Sequence, residues 1–171
     1  MSTPQLAPRP PAAESITMTM LGLLFPVPMI ALVLWFVIGT VHGLSEFPAS
    51  WTALVPLALA VGAYSFCELV GFRAQPIQPG GRPAEVENQS WLAFNKSAFL
   101  RFVACEAVFL VTIPIAFVVS SYWPVLIGAA LALPLIAWEA WPSKRNLQRF
   151  AASLESGGHP SYLLGRPIDR V

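Results

Sequence analysis

The sequence predicts an all-α protein: a polytopic membrane bundle of four transmembrane helices, followed by a short amphipathic C-terminal surface helix. Three observations carry this prediction. Four apolar runs, at 16–41, 51–70, 97–119 and 123–141, match the roughly 20 residues that cross about 30 Å of hydrocarbon. Only 11% of the 171 residues are charged, where a soluble domain carries about 25%. The basic residues also segregate between alternate connections, as membrane topology requires.

Taken in order, residues 1–15 (MSTPQLAPRPPAAES) are rich in Pro and Ala. Such a segment buries too little apolar surface to fold, so a disordered cytoplasmic tail is expected. It reads poorly as a signal peptide, because its charge is sparse and no clear small-residue cleavage site follows. The first span, 16–41, carries Pro26 and Pro28. Proline lacks a donor and clashes with the preceding turn, which predicts a broken first third and regular helix from about Pro28 to Val41.

The connection His42–Ser50 is short and holds no Lys or Arg. The second span, 51–70, contains Pro56 and ends in Cys67-Glu68. Residues 71–96 are dominated by Gly, Pro and polar side chains and read as a long loop, with a turn of interfacial helix at 90–95. Trp91 and Phe94 would anchor that turn at headgroup depth. The third and fourth spans, 97–119 and 123–141, are separated by so few residues that they must form an antiparallel hairpin. In 142–171, Leu147, Phe150, Ala151 and Leu154 share one helical face, away from Lys144, Arg145 and Arg149. A helix lying along the membrane surface is expected, stopped by Gly157-Gly158.

The tail at 1–15, the loop at 71–96 and the tail at 142–171 hold every basic residue except Arg101. The positive-inside rule therefore places both termini in the cytoplasm of a bacterial inner-membrane protein.

Topology sets depth. At 1.5 Å per residue, Arg101 lies roughly 6 Å and Glu106 roughly 13 Å inside span three. Glu68 and Glu139, near the ends of spans two and four, share the depth of Arg101. An intramembrane ion-pair cluster of Arg101, Glu68 and Glu139 is expected, since a guanidinium fork can bridge two carboxylates. Glu106 is about 140° round the helix from Arg101, deeper, and has no basic residue at matching depth. It is the candidate proton-binding residue, because ionisable groups at membrane depth are costly and mark function by default.

The remaining chemistry is sparse. Cys67 and Cys105 each precede a glutamate, but by helical rise their depths differ by roughly 7 to 9 Å. They read as two small buried hydrophobes. His42 and His159 fall on opposite sides of the bilayer, which excludes a shared metal or triad site. Pro79-Gly80-Gly81-Arg82-Pro83 lacks the lysine and context of a phosphate loop. A net charge of +1 offers no bulk attraction for nucleic acid. No catalytic residue, cofactor or metal is expected.

The segment Leu100-Arg101-Phe102-Val103-Ala104-Cys105-Glu106-Ala107, continuing to Ile113-Pro114-Ile115-Ala116, resembles the Glu-Ala-bearing second helix of rotary ATPase proteolipid subunits. That resemblance implies a transported proton on Glu106. It covers one span of the four, and the glycine-rich first helix of that family is absent. The Pro/Ala-rich start and small four-span body also resemble uncharacterised membrane proteins of high-GC bacteria, which implies no activity.

These features point to a non-enzymatic accessory or assembly component of a larger membrane complex. Its partners would be the bilayer and other membrane subunits or further copies of itself. The alternative is a small proton-linked transporter or channel using Glu106 with Arg101. An intramembrane enzyme acting on lipids lacks a nucleophile and base.

Overall fold

A computed structural model describes residues 8, 10–42, 44, 47 and 51–165. Among these, all regular structure is helical, and four helical stretches are long and apolar enough to cross a membrane: Pro11–Gly39, Trp51–Gly71, Pro83–Val118 and Trp123–Ala140. A shorter C-terminal helix follows.

The first stretch consists of α1 (Pro11–Leu24) and α2 (Pro26–Leu34), separated at Phe25. The expected break is there, but helix runs on both sides of it. Proline is tolerated in a first turn, whose donors have no intrahelical partners, so α2 starts afresh at Pro26. The helix also begins at Pro11, inside the segment expected to be disordered. Tertiary packing supplies what composition withheld: Ala13, Ile16 and Met20 are buried, and Asn95 Nδ2 donates to the Ala12 carbonyl at 3.1 Å. Residues 1–7 and 9, most of the 43–50 connection, and 166–171 lie outside the described residues.

The second stretch is α3 (Trp51–Phe66). The third is α4 (Pro83–Val118), 36 residues long. This corrects the expected loop, since the irregular connection covers only about 72–82 and α4 continues well beyond the apolar run. The extension is helical because Val86, Trp91 and Phe94 bury one face of it. The fourth stretch is α5 (Trp123–Leu135). Widened π-type turns prolong spans one, two and four at Trp35–Gly39, Cys67–Gly71 and Ile136–Ala140.

The hairpin between α4 and α5 closes as a Schellman motif. Ser121 N–H reaches the Ala116 carbonyl at 3.1 Å, and Ser120 N–H reaches the Phe117 carbonyl at 3.3 Å. Ser120 occupies the left-handed position with φ +50°. The next residue but one, Tyr122, ties span one to this hairpin. Its hydroxyl donates to the Ala31 carbonyl at 2.6 Å, and its ring meets Trp35 edge-on.

Burial pushes the Tyr122 hydroxyl above its ordinary value. A raised native value means that the stabilisation is complete below about pH 10 and is lost as pH climbs through the native value. Tyr122→Phe is therefore expected to cost about 1 kcal/mol. Melting in detergent should also show the parent losing stability above about pH 10 more steeply than the variant. Identical profiles would remove Tyr122 as the tie.

The helix α6 (Lys144–Leu154) is capped by Ser143, whose side chain accepts from Asn146 N–H at 3.3 Å. Its apolar face was expected to lie on the membrane. Instead, Phe150, Ala151 and Leu154 are buried against the protein: Phe150 packs edge-on against Phe94 of α4, and Ile77 N–H bonds to the Leu154 carbonyl. The α4 extension beyond the apolar run supplies that docking surface. One 3₁₀ turn, Glu155–Gly157, leads to Gly158 at φ +83°, the expected stop.

Candidate functional site

The basic end of the bundle, where α6 and the 72–82 connection meet spans two to four, gathers the charged residues. Three observations set its geometry. The π-turns at Cys67–Gly71 and Ile136–Ala140 carry Glu68 and Glu139. Ser97 Oγ donates to the Gly71 carbonyl, which fixes the register between spans two and three. Asn146 Nδ2 lies within hydrogen-bond reach of the carbonyls of Trp138, Glu139 and Trp141, at 2.9, 3.1 and 2.8 Å. Asn146 thus caps the C-terminal carbonyls of span four, which have no helical partners.

Arg101 is fully buried at the centre. Its Nη1 donates to the Glu139 main-chain carbonyl at 2.7 Å and its Nε to the Ser97 carbonyl at 3.3 Å. The guanidinium carbon lies 3.9 Å from the Phe72 ring centre and 5.6 Å from that of Phe94. Nη2 has no hydrogen-bond partner among the described residues.

Of the expected cluster, Arg101 bonds to the main-chain carbonyl of Glu139 and makes no ion pair with the Glu68 or Glu139 carboxylate among the described residues. Ion pairs to the carboxylates come from α6. Arg149 forks onto both oxygens of Glu68, with Nη1 to Oε1 at 2.6 Å. Arg145 Nη2 reaches Glu68 at 3.1 Å, and Arg145 Nη1 lies 3.6 Å from Glu139. The Glu68 fork holds the Arg149 guanidinium above its ordinary range. Arg149 also sits 4.3 Å from the Phe72 ring centre, so Phe72 receives two cations. Both carboxylate oxygens of Glu139 are buried without a hydrogen-bond donor among the described residues.

This arrangement is a latch. Glu68 on span two holds the tail helix through Arg145 and Arg149, whose side chains are about one-third exposed. Partial exposure discounts the fork, and Glu68→Gln is expected to cost about 1 kcal/mol. Its clearer signature is local: trypsin should cut at Lys144, Arg145 and Arg149 faster in the variant, and high salt should narrow the difference. Equal cleavage rates at low salt would mean that α6 is held by its apolar face alone.

Glu106 stands apart from this cluster. It is partly exposed on the flank of α4. Among the described residues it has no hydrogen-bond or ion-pair partner. The contact of Asn95 with Ala12 aligns α4 with α1. Counting equally onward from both puts Glu106 at about the height of Leu23, close to that of the helix break at Phe25. There Pro26 and Pro28 lack the N–H groups that would have served the carbonyls of Gly22 and Leu24.

Two features were missed by reasoning from sequence. One is Asn146, hidden in a face defined by its apolar members. The other is the cysteine pair. Cys67 and Cys105, expected at different depths, lie with Sγ atoms 3.8 Å apart, and both are fully buried. The error came from measuring depth from the start of the apolar run, although α4 begins at Pro83 and its register with α3 is set elsewhere. Among the described residues, no group of three or more metal-ligating side chains forms a metal site. His159 is partly exposed beyond α6, and the side chain of His42 lies outside the described residues.

No family model matches the chain, and no curated protein or solved structure matches it either.

Proposed function

We propose that this protein is a non-enzymatic accessory or assembly component of a larger complex in the bacterial inner membrane, with cytoplasmic termini. Glu106 carries the reading. A carboxyl group in the apolar middle of a span, partly exposed and without a hydrogen-bond or ion-pair partner among the described residues, is costly in lipid. A donor or cation on a neighbouring polypeptide would relieve that cost. The outer faces fit such a role. In the most apolar windows of spans one and two, only 22% and 17% of residues are buried within the bundle. The basic end, with α6 latched over it, gives a folded surface outside the apolar spans.

The test uses native membranes. A photoreactive residue at Phe99, Val103 or Leu110, all exposed on α4, is expected to give an adduct with a second polypeptide. Glu106→Leu should reduce that adduct several-fold. If the three positions yield lipid adducts alone and Glu106→Leu changes nothing, the reading is wrong.

The helix break at about the height of Glu106 favours a second reading, a small proton-linked transporter or channel. Discontinuous helices place unpaired carbonyls at ion sites in transporters. A protonated Glu106 could donate to one of the carbonyls left free by Pro26 and Pro28. Purified protein in liposomes would then carry a proton flux that Glu106→Gln abolishes.

A further inference from the structure

We propose that Cys67 and Cys105 form a reversible redox pair, a peroxide-oxidisable dithiol that staples span two to span three. This goes beyond the accessory role and uses residues that role does not need. The two thiols lie on different spans, yet their sulfur atoms are 3.8 Å apart. Both residues are fully buried, so the side chains are held toward one another. A disulfide requires about 2.05 Å, a closure of less than 2 Å. Cys67 opens the π-turn Cys67–Gly71, a local departure from regular α-helix where the backbone can adjust. The Cys67 thiol also approaches the main-chain carbonyl of Arg101 on span three at 3.9 Å, a second contact that keeps it turned toward that span. The thiolate is the nucleophilic form of either cysteine.

The co-reactant is a small hydroperoxide, hydrogen peroxide or an alkyl hydroperoxide, able to enter when the helices part locally. One sulfur, as the thiolate, attacks the terminal peroxide oxygen. The O–O bond breaks, water or the alcohol leaves with the thiol proton, and a sulfenic acid remains. The second sulfur attacks the sulfenic sulfur. The S–S bond forms, the S–O bond breaks, and water carries off the second thiol proton. In sum, two thiols and one hydroperoxide give one disulfide, one water, and a second water or an alcohol. A dithiol reductant reverses the oxidation by thiol–disulfide exchange.

The test takes the full-length protein in liposomes through hydrogen peroxide, then alkylates free thiols in denaturant. Trypsin next cuts after Arg73, an exposed residue in the connection between the two cysteines. The expected result is that the fragments bearing Cys67 and Cys105 stay joined on a non-reducing gel and separate with dithiothreitol. Their joint mass should be lower by two hydrogens. Cys67→Ser and Cys105→Ser should each abolish the linkage, which excludes a bond to any third thiol. The oxidised protein should also melt higher than the reduced protein, since the crosslink restricts the unfolded chain. Fragments that separate without reductant, with two alkylated thiols or with separately over-oxidised cysteines, would overturn the proposal. The outcome is independent of Glu106 and of any partner.

Discussion

Gly128→Ala is expected to destabilise the bundle by about 1 kcal/mol net, although alanine is the better helix former. The two effects oppose one another and their sizes decide the sign. Replacing glycine by alanine inside a helix is worth about 1 kcal/mol in propensity. At Gly128, however, a Cβ would lie 2.6 Å from Thr112 Cγ2 and 3.0 Å from Thr112 Cβ. Those atoms belong to the branched base of a fully buried side chain, not to a flexible end that swings aside. Thr112 is held further by its hydroxyl, which donates to the Phe109 carbonyl at 2.6 Å. Relief therefore requires α4 and α5 to separate, and overpacking of this kind costs about 1 to 3 kcal/mol or more. Because the clash is between two named residues, a double-mutant cycle isolates it. Thr112→Ala should recover most of the loss caused by Gly128→Ala, with a coupling energy of about 1 to 2 kcal/mol. Additive losses in detergent melts would show that this crossing is not where the hairpin is held.

In Ile127-Gly128-Ala129-Ala130, three consecutive small residues permit close helix packing, but the sequence does not name the residue they pack against. The same division runs through the whole chain. Apolar runs of membrane length are one-dimensional signals, and all four spans were readable from them. Helix ends were not, because they depend on contacts distant in sequence. α1 starts at Pro11 with Ile16 and Met20 buried in the bundle, and α4 starts at Pro83 where Phe94 meets Phe150. Neither segment is apolar enough to announce itself. In the candidate site, topology and rise set Arg101, Glu68 and Glu139 at similar expected depth, and the structure links Arg101 to the Glu139 main chain and Arg145 to both carboxylates. The pairing did not follow from topology and rise, since Arg145 and Arg149 reach the carboxylates only after α6 folds back over the bundle. The polar side of an amphipathic helix reads as solvent-facing whether it faces water or a buried carboxylate. Asn146 shows the same limit, as its three carbonyl contacts exist only once span four has ended in a π-turn.

Arg101 provides the sharpest separation of packing from charge. Arg101→Ala should cost about 3 to 5 kcal/mol, because it empties the volume of a long, fully buried side chain. The choice between Arg101→Met and Arg101→Lys carries more information. Methionine keeps an unbranched stem against Gly71, ending about where Arg101 Nε lies, and its flexible thioether can settle toward Phe72. It gives up the Nη1 bond to the Glu139 carbonyl, but Asn146 Nδ2 already serves that oxygen at 3.1 Å. It also removes a buried charge whose Nη2 is unpartnered, and replacing buried ionic groups by apolar ones of similar volume is often nearly neutral. Lysine retains the charge and its desolvation cost. It loses the planar face stacked 3.9 Å from the Phe72 centre and the fork that reaches two carbonyls at once. The expected order of melting temperatures is therefore parent, Arg101→Met, Arg101→Lys, Arg101→Ala, with methionine within about 2 kcal/mol of the parent. An inverted order, lysine milder than methionine, would mean that the buried Glu139 carboxylate depends on a positive charge at Arg101 beyond what Arg145 supplies at 3.6 Å. In that case Arg101 and Glu139 would be the pair that holds this end of the bundle, and the latch through α6 would be secondary to it.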